Sequence, residues 1–395
     1  MFKGKRNLIL SITFHAVWMM FLSYLWLNLP YSYESESKIM AFTNILKNVV
    51  LGVQEKPSKD SLLFVNISYD KMLIPRYDSE GFASGNVAIT DRVALTRFLK
   101  VINSSHHHRF IILDVFFEDS TANDSMLQVQ VKNCKSLILP YHLDGGQTRQ
   151  KSYIRGWSGL ADYDADFGTF LKYSFLQQDT FRTVPLALYE KFNNGYLQKF
   201  GPFYTSQGHL ALNALTLDFS VRSYDVFSND GTGYSSIHLC ELMAAPPSFI
   251  QDLVKNKIIV VGDFTDRDLH PTLYGTIAGP LIQINAYLAL VNGDHLLTWP
   301  LLIFIFCCYW IISWYLFSDL VLVHHPWIEK IKKSKWGGVI FDFLKYASIL
   351  IVINIFSYLF FDVHLNVLIM GVYIVMVEYL ISWVRQKNKN AHEKQ

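Results

Sequence analysis

The side chains best suited to chemistry in this sequence are concentrated in one short segment, residues 262–279. Within ten residues it holds three acids, an arginine, a histidine and a threonine: Asp263, Asp266, Arg267, Asp268, His270 and Thr272. The apolar residues 257–261 before it are typical of a strand, and ligands of open α/β sheets bind at the carboxyl ends of strands. We therefore predict a ligand-binding loop. The alternative is a structural turn whose aspartates cap local N–H groups.

Two further ionisable residues lie inside long apolar runs. Glu378 lies within residues 363–384, and His15 lies within residues 7–29. An acid inside a membrane is costly and often marks an ion path. Because Glu378 is only six residues from the end of its run, the alternative is a neutralised or interfacial acid, or a contact with another span. His15 is expected to pack like an aromatic residue or to make a helix–helix hydrogen bond.

Cysteines and a histidine run are the remaining candidates. Cys134 and Cys240 lie in the same long polar region, where a disulfide between them is an open alternative. Cys307 and Cys308 lie in an apolar run and are expected only to pack. Residues 106–108 are three adjacent histidines, whose side chains would diverge on a helix; we predict a solvated turn and no metal site.

The sequence motifs of common enzyme sites are absent. No phosphate-binding loop, dinucleotide-binding glycine pattern, nucleophile elbow or zinc-protease motif occurs. We therefore expect no enzymatic activity and no cofactor. The net charge of +2 gives no basic field that would favour nucleic acid.

The composition is typical of a membrane protein with a polar domain. Hydrophobic residues make up 51% of the 395 residues and charged residues only 17%. Four apolar runs have the length that a bilayer-spanning helix needs, and they predict transmembrane helices at 7–29, 299–323, 343–361 and 363–384. A cleaved signal peptide is the alternative for the first run, and a soluble protein with buried helices is the alternative for all four.

The placement of lysine and arginine predicts the topology. Basic residues occur in 1–6, in the connector 324–342 and in the tail 385–395, whereas the tip between the last two runs has none. Cytoplasmic segments carry an excess of such residues. Both termini and the connector are therefore predicted to be cytoplasmic, and residues 30–298 are predicted to lie on the opposite side, with the lipid bilayer as the first partner.

The large polar region alternates strand-like and helix-like patterns. Strands are predicted at 62–67, 110–117, 137–139 and 257–261. Helical periodicity follows the first, second and fourth of these strands, beginning at Thr90 or Asp91, near residue 126 and at residues 280–291. The alternation favours βαβ units, so the predicted fold class is an α/β extracytoplasmic domain with a largely parallel sheet, plus one transmembrane helix before it and three after it. The sequence does not predict the strand order within residues 141–235.

Residues 257–293 resemble a CHASE2 domain, the extracytoplasmic sensor module of bacterial membrane receptors. The resemblance includes two earlier segments, VNISYDKM with TDRVALTRFL and IILDVFFED, and it covers most of 61–293. The positions that carry it are Gly262, Asp268, Pro271, Thr272, Gly275, Gly279 and Ile284-Asn285-Ala286. The Pro-Thr order and Gly279-Pro280 depart from the usual family pattern. One anchor before the domain and three spans after it match the family's layout, which implies the bacterial inner membrane and a periplasmic domain.

The resemblance implies a sensory function, but it also raises a question about output. Such receptors usually continue into a cytoplasmic output domain, whereas eleven residues follow the last apolar run here. We therefore expect a sensory or coupling subunit that passes a periplasmic signal or contact to a separate membrane or cytoplasmic effector, as a homo- or hetero-oligomer. The alternatives are a structural docking subunit of an envelope complex and a transporter or channel component that uses Glu378.

Overall fold

The structure is a computed structural model that describes residues 5–30, 34–47, 52, 56–77, 80–105, 107–163, 170–227, 233–265, 268–318 and 335–392. The chain divides into two compact units. The first, called the membrane unit, comprises Met1–Gly52, Lys199–Leu215 and Asp294–Gln395. The second, called the α/β unit, comprises Val53–Gln198 and Thr216–Gly293.

The described residues form helices and strands with the following bounds. The helices are α1 (Lys5–Leu27), α2 (Glu34–Ile45), α3 (Arg92–Ser105), α4 (Asp124–Asn133), α5 (Val184–Phe192), α6 (Ser223–Val226), α7 (Leu239–Ala244), α8 (Pro247–Val254), α9 (Gly279–Asn292), α10 (Trp299–Phe317), α11 (Lys335–Phe361) and α12 (Val367–His392). The strands are β1 (Leu62–Asn66), β2 (Lys71–Tyr77), β3 (Ala83–Thr90), β4 (Phe110–Leu113), β5 (Leu137–Tyr141), β6 (Leu143–Asp144), β7 (Thr148–Arg149), β8 (Ser158–Leu160), β9 (Lys172–Ser174), β10 (Leu176–Gln177), β11 (Phe181–Arg182), β12 (Gln198–Phe200), β13 (Phe203–Ser206), β14 (His209–Ala211), β15 (Ala214–Thr216), β16 (Ser235–His238), β17 (Ile258–Gly262), β18 (Leu269–Thr272) and β19 (Gly275–Ala278).

A six-stranded sheet in the order β16-β1-β17-β4-β5-β8 is the centre of the α/β unit. Every neighbouring pair in it is parallel, so the predicted largely parallel sheet is confirmed. Val261 of β17 is in register with Val65 on one side and with Leu113 on the other. Strand β4 ends four residues earlier than predicted, because a tight turn follows in which the Val115 N–H donates to the Leu113 carbonyl at 2.9 Å.

Helices cover both faces of this sheet. Alternate side chains of the central strands pack with the apolar faces of α3, α4, α7 and α8 in one buried cluster. The Asp91 carboxylate accepts hydrogen bonds from the N–H groups of Val93 and Ala94, at 2.7 and 3.2 Å, and so caps α3. On the other face, the Phe110 ring lies 5.1 Å from the Tyr287 ring of α9. Burial on both faces explains why the central strands are continuous apolar runs.

Four helices of the membrane unit are long and apolar enough to cross a membrane: Arg6–Leu27, Trp299–Phe317, Gly338–Phe361 and Val367–Lys387. One precedes the α/β segments and three follow them, as predicted. The residues 319–334, which include the end of the predicted second span and most of the basic connector, lie outside the described residues.

The last span begins four residues later than predicted, because the tip between α11 and α12 is not helical. Polar side chains of α11 instead form hydrogen bonds with the backbone N–H and carbonyl groups of the tip. The Asn354 side-chain oxygen accepts a hydrogen bond from the Leu365 N–H at 2.6 Å, and the Ser357 hydroxyl donates to the Val363 carbonyl at 2.8 Å. The Lys47 ammonium forms an ion pair with Asp362 at the same tip.

Helices α1 and α10 pack against each other through buried polar pairs. The hydroxyls of Ser23 and Tyr309 lie 2.6 Å apart, and both side chains are buried. One turn further along α10, the His15 ring nitrogen Nδ1 lies 2.7 Å from the Ser313 hydroxyl. These pairs fix the relative register of the two helices.

Strands β12, β13 and β14 form a small sheet that packs on the carboxyl-terminal end of α1. The Tyr24 hydroxyl accepts a hydrogen bond from the Tyr204 N–H at 2.6 Å and donates to the Ala211 carbonyl at 3.1 Å. The segment that leads into α10 completes the sheet through the Leu212 N–H, which donates to the His295 carbonyl at 2.7 Å.

Candidate functional site

A cleft of about 590 Å³ opens at the carboxyl ends of β4, β5 and β8. Strands, a hairpin and a helix converge on it because parallel strands all end at the same edge of a sheet. Its polar lining residues come from five separate segments of the chain: Asp114, His142, Asp162, Tyr163, Asp268, His270 and Gln283.

Asp114 forms part of the cleft wall directly after β4. Its backbone is held by the hydrogen bond from its N–H to the Val261 carbonyl, 2.8 Å long, which continues the ladder between β4 and β17. Its carboxylate makes no hydrogen bond to the part of the chain that the structure describes. Burial and the nearby Asp268 carboxylate raise the pKa of Asp114 well above its usual range. The cleft therefore contains a carboxyl group that has no hydrogen-bond partner among the described residues.

Asp268 and His270 enter the cleft from the segment between β17 and α9. The Asp268 carboxylate lies 2.6 Å from Nε2 of His270. The Gly279 N–H, at the first position of α9, donates to the Asp268 carbonyl at 2.8 Å. Gly262 lets α9 approach β17 closely, because a Cβ there would overlap the Pro280 ring. The start of α9 and the end of β17 thus hold the acid beside the cleft.

Tyr163 covers His270 from the β8 side. The two rings meet edge to face, with their centroids 4.8 Å apart. The Tyr163 hydroxyl is buried and has no hydrogen-bond partner among the described residues. Burial, with Asp268 and Asp114 nearby, raises the pKa of Tyr163, so its hydroxyl remains a donor at neutral pH.

His142 and Asp162 form a second fixed pair. Nδ1 of His142 lies 2.6 Å from the Asp162 carboxylate, whose other oxygen accepts a hydrogen bond from the Leu143 N–H at 2.8 Å. The His142 ring packs edge to face with Phe116, at 4.9 Å between centroids. These contacts orient the His142 ring without using all of its hydrogen-bonding capacity.

Gln283 completes the cleft from the second turn of α9. Only 2% of this residue is exposed. Its side-chain oxygen accepts a hydrogen bond from the Tyr173 hydroxyl at 3.0 Å. Its side-chain nitrogen has no hydrogen-bond partner in the described part of the chain, although the residue lines the cleft. This amide nitrogen faces the cleft and can donate to a hydrogen-bond acceptor bound there.

The predicted ligand-binding residues divide into three groups. Asp268 and His270 line the cleft, and Asp266 and Arg267 lie outside the described residues. The Asp263 carboxylate instead accepts hydrogen bonds from the Ser68 hydroxyl and the Thr265 N–H, at 2.7 and 3.2 Å. The Thr272 hydroxyl is part of the β18–β19 turn, where it donates to the Gly275 carbonyl at 2.7 Å. The hydrogen bonds of Asp263 and Thr272 are of the kind that a structural turn contains.

The two polar residues predicted inside the membrane both contact other spans. Glu378 of α12 lies 3.2 Å from the Lys345 ammonium of α11. His15 of α1, besides its bond to Ser313, stacks on the Tyr373 ring at 5.7 Å. Glu378 therefore links two helices of the membrane unit, and His15 links three.

The cysteines and histidines form no further site in the described residues. Cys134 is buried and Cys240 is exposed, and neither is in a disulfide, so the pairing left open by the sequence is not formed. His106 lies outside the described residues, and Nε2 of His108 lies 2.8 Å from the Ser136 hydroxyl. Among the residues described, no group of three or more His, Cys, Asp or Glu side chains is arranged to hold a metal ion.

Sequence reasoning missed Asp114, His142, Asp162, Tyr163 and Gln283 as parts of one site. Asp114 was placed inside the predicted strand 110–117, and the signal that could have identified it is its position directly after the four apolar residues of β4. His142 similarly follows β5. Tyr163 and Gln283 carry no comparable local signal, because their neighbours in the cleft are distant in sequence.

No protein-family model, curated protein or solved structure matches this chain. The geometry of the two units is therefore the basis for a functional proposal.

Proposed function

We propose that this protein is a membrane-anchored sensory or coupling subunit whose α/β unit binds a small, neutral, polyhydroxylated compound in the cleft. The observation that carries the proposal is the set of three polar groups without intramolecular partners in the described residues: the Asp114 carboxyl, the Tyr163 hydroxyl and the Gln283 amide nitrogen. Within the described ranges these groups remain available for a ligand, at the edge of the sheet where ligands of parallel α/β folds bind.

The chemistry of the three groups supports this ligand class. The raised pKa of Asp114 favours its protonated form, which both donates and accepts a hydrogen bond. The Tyr163 hydroxyl and the Gln283 amide add donors. A ligand hydroxyl also donates and accepts, so several adjacent hydroxyls can pair with this mixture. The rings of Phe116 and Tyr163 supply apolar surface for the carbon skeleton.

Chain connectivity supports a coupling role. Gln283 lies in α9, and only residues 293–298 separate the end of α9 from the start of α10. A ligand that pairs with Gln283 acts on the same helix that leads into the second spanning helix. We propose a periplasmic α/β unit, as the lysine and arginine distribution and the CHASE2 resemblance favour, and a separate effector protein as the recipient of the signal.

A binding experiment on the full-length protein in nanodiscs tests the ligand proposal. We expect a neutral sugar or polyol from a panel to raise the melting temperature in a concentration-dependent manner, because a ligand that binds only the folded state stabilises it. Gln283→Leu and Asp114→Ala should abolish the shift. Thr272→Ala is the matched control. Thr272 lies two residues after His270 but outside the cleft, so this variant should retain the shift in melting temperature. Stabilisation by amines instead of polyols would contradict the ligand class.

Purification from native membranes tests the coupling proposal. We expect an effector protein to co-purify with the full-length chain, and its retention to change when the stabilising polyol is present. Gln283→Leu should still bind the effector but should lose the ligand-dependent change. Equal retention with and without ligand would argue against coupling.

A structural docking subunit is the second candidate, and the β2–β3 hairpin favours it. The strands pair only with each other among the described residues. Leu73 is 67% exposed and Phe82 is 68% exposed, which is unusual for large apolar side chains. If this hairpin docks a partner, Leu73→Ser should release that partner at any ligand concentration, whereas a sensory subunit should retain it.

A further inference from the structure

The turn 200–203 between β12 and β13 lies beside the membrane-spanning part of α1. The ring of Phe203 is 6.0 Å from the Phe21 ring and 5.3 Å from the Tyr24 ring. The Tyr24 hydroxyl also accepts the hydrogen bond from the Tyr204 N–H. This small sheet is therefore fixed to α1 through both apolar and polar contacts.

The position of Phe21 along α1 indicates how deep this contact is. Phe21 lies six residues before Leu27, the end of the helix, so Phe203 reaches a level about 9 Å below that end. The apolar span Arg6–Leu27 has 22 residues, which is about 33 Å and hardly longer than the hydrocarbon core of about 30 Å. The last turns of α1 therefore coincide with the boundary between hydrocarbon and lipid headgroups.

The opposite end of β13 shows which way the turn points. Ser206, three residues after Phe203, lies 3.1 Å from Nε2 of His295. His295 precedes the start of α10 at Trp299 by four residues, and so it lies outside the span. The strand thus runs from the level of the bilayer boundary at Phe203 to a level outside it at Ser206. The turn 200–203 is the end of the sheet that faces the membrane.

The side chains of this turn suit a lipid interface better than water. Phe200 is 80% exposed, the highest fraction among the large hydrophobic residues of the structure's described part. Lys199 beside it is also exposed, and its ammonium lies 5.7 Å from the Tyr204 ring. Aromatic rings are favoured at the headgroup level, where a neighbouring lysine can extend its charge towards water or lipid phosphate.

We propose that the turn 200–203 inserts into the headgroup region of the bilayer, with Phe200 as its lipid-contacting anchor. The bilayer is the expected partner of this turn, because Phe203 packs on the last turns of α1. The inference rests on the proposed membrane placement of α1 and does not depend on a ligand. Inserted in this way, the turn fixes the outer ends of α1 and α10 relative to the bilayer surface.

Spin-label accessibility in the full-length protein tests this proposal. The protein is reconstituted into vesicles of phosphatidylethanolamine and phosphatidylglycerol, in a background of Cys240→Ser, Cys307→Ala and Cys308→Ala, with the buried Cys134 retained. A nitroxide is attached at Phe200→Cys. We expect collisions with oxygen, which concentrates in lipid, to be severalfold more frequent relative to a water-soluble nickel chelate than at an aqueous site. Lys199→Cys repeats the measurement with Phe200 intact.

Two further sites make the result decisive. His209→Cys, at the other end of the same sheet, is the matched control and should report water. Phe14→Cys, on the exposed middle of α1, should report the bilayer interior. The proposal is overturned if the label at 200 has the same ratio of oxygen to nickel collisions as the label at 209, or if neither reagent reaches it. A lipid signal at 14 then shows that the membrane placement of α1 is still correct. An aqueous signal at 14 overturns both.

Discussion

The Asp268 carboxylate packs directly against the Cα of Gly279, the first residue of α9. A Cβ at position 279 would overlap the carboxylate carbon and both of its oxygens. The glycine therefore makes room for an acid that also pairs with His270. This close approach joins the hairpin β18–β19 to the helix that supplies Gln283.

We expect Gly279→Ala to lower the free energy of unfolding by about 1–3 kcal/mol, because the added methyl group must displace Asp268. The same change should weaken ligand binding in the cleft. Chemical denaturation of the full-length protein measures the first effect, and a thermal shift with ligand measures the second.

A double-mutant cycle shows whether the overlap is the cause. In an Asp268→Ala background the atoms that the new methyl group would meet are absent, so Gly279→Ala should lower the free energy of unfolding much less. An equal loss of unfolding free energy in the two backgrounds would show that Gly279 is required for another reason, such as the start of α9.

The raised pKa of Asp114 predicts a pH-dependent effect of Asp114→Asn. Below the ordinary aspartate pKa of about 3.9, Asp114 is protonated in both the folded and the unfolded state. Between that value and the raised pKa, the unfolded state ionises while the folded state must keep the proton, so stability falls as the pH rises towards the raised pKa. Asp114→Asn should therefore raise the melting temperature by a few degrees at neutral pH, with no gain below about pH 4.

Melting curves from acidic to neutral pH check this expectation. Asp252→Asn is the matched control for the loss of one negative charge, because Asp252 is exposed on α8. A stabilisation by Asp114→Asn that is the same at every pH would show that ionisation of Asp114 is not its source.

The exposed thiol of Cys240 provides a test of the proposed topology. A membrane-impermeant maleimide should label Cys240 in cells whose inner membrane is intact, because the thiol is exposed in the α/β unit. Cys240→Ser should lose this labelling, and the buried Cys134 should not replace it. Labelling that requires disruption of the inner membrane would place the α/β unit in the cytoplasm.

The ion pair between Lys345 and Glu378 predicts a structural role in the membrane unit. The side chains are 17% and 28% exposed, and the charged atoms lie 3.2 Å apart. Lys345→Met should destabilise the protein by about 3 kcal/mol, because it leaves the Glu378 carboxylate without its partner. Glu378→Gln should destabilise the protein less, because the Lys345 ammonium retains the Asp342 carboxylate at 3.6 Å. The double variant should recover much of this loss.

Unfolding in detergent measures the stability of these variants. Ser382→Ala, one turn further along α12, is the matched control and should have little effect. If Glu378 were instead part of an ion path, Glu378→Gln would abolish transport while leaving the stability nearly unchanged.

The strands of the sheet differ in how well the sequence predicts them. Strands β1 and β17 lie between other strands and are covered on both faces, so each is mostly apolar and its bounds agree with the predicted ones to within one residue. The edge strands β8 and β16 are short and contain serine or histidine, and no pattern distinguishes them from loops. The strand order depends on pairing between distant segments, which no local pattern encodes.

The site was predictable only where one segment contains its residues. Asp268 and His270 are close in sequence and their shared position in the cleft was expected. Asp114 and Gln283 are brought together by the parallel arrangement of the sheet and by the packing of α9 on it. Asp263 and Thr272 have the same residue types as a ligand-binding group, but their local hydrogen bonds give them structural roles.

The place of β17 between β1 and β4 has a consequence for biogenesis. Its residue Val261 pairs with Val65, which lies 196 positions earlier in the chain. At a synthesis rate of about 5–20 residues per second, β1 waits roughly 10–40 s for this neighbour. During that interval β1 lacks its neighbour β17 in the sheet, and unpaired apolar strands of this kind are prone to aggregation.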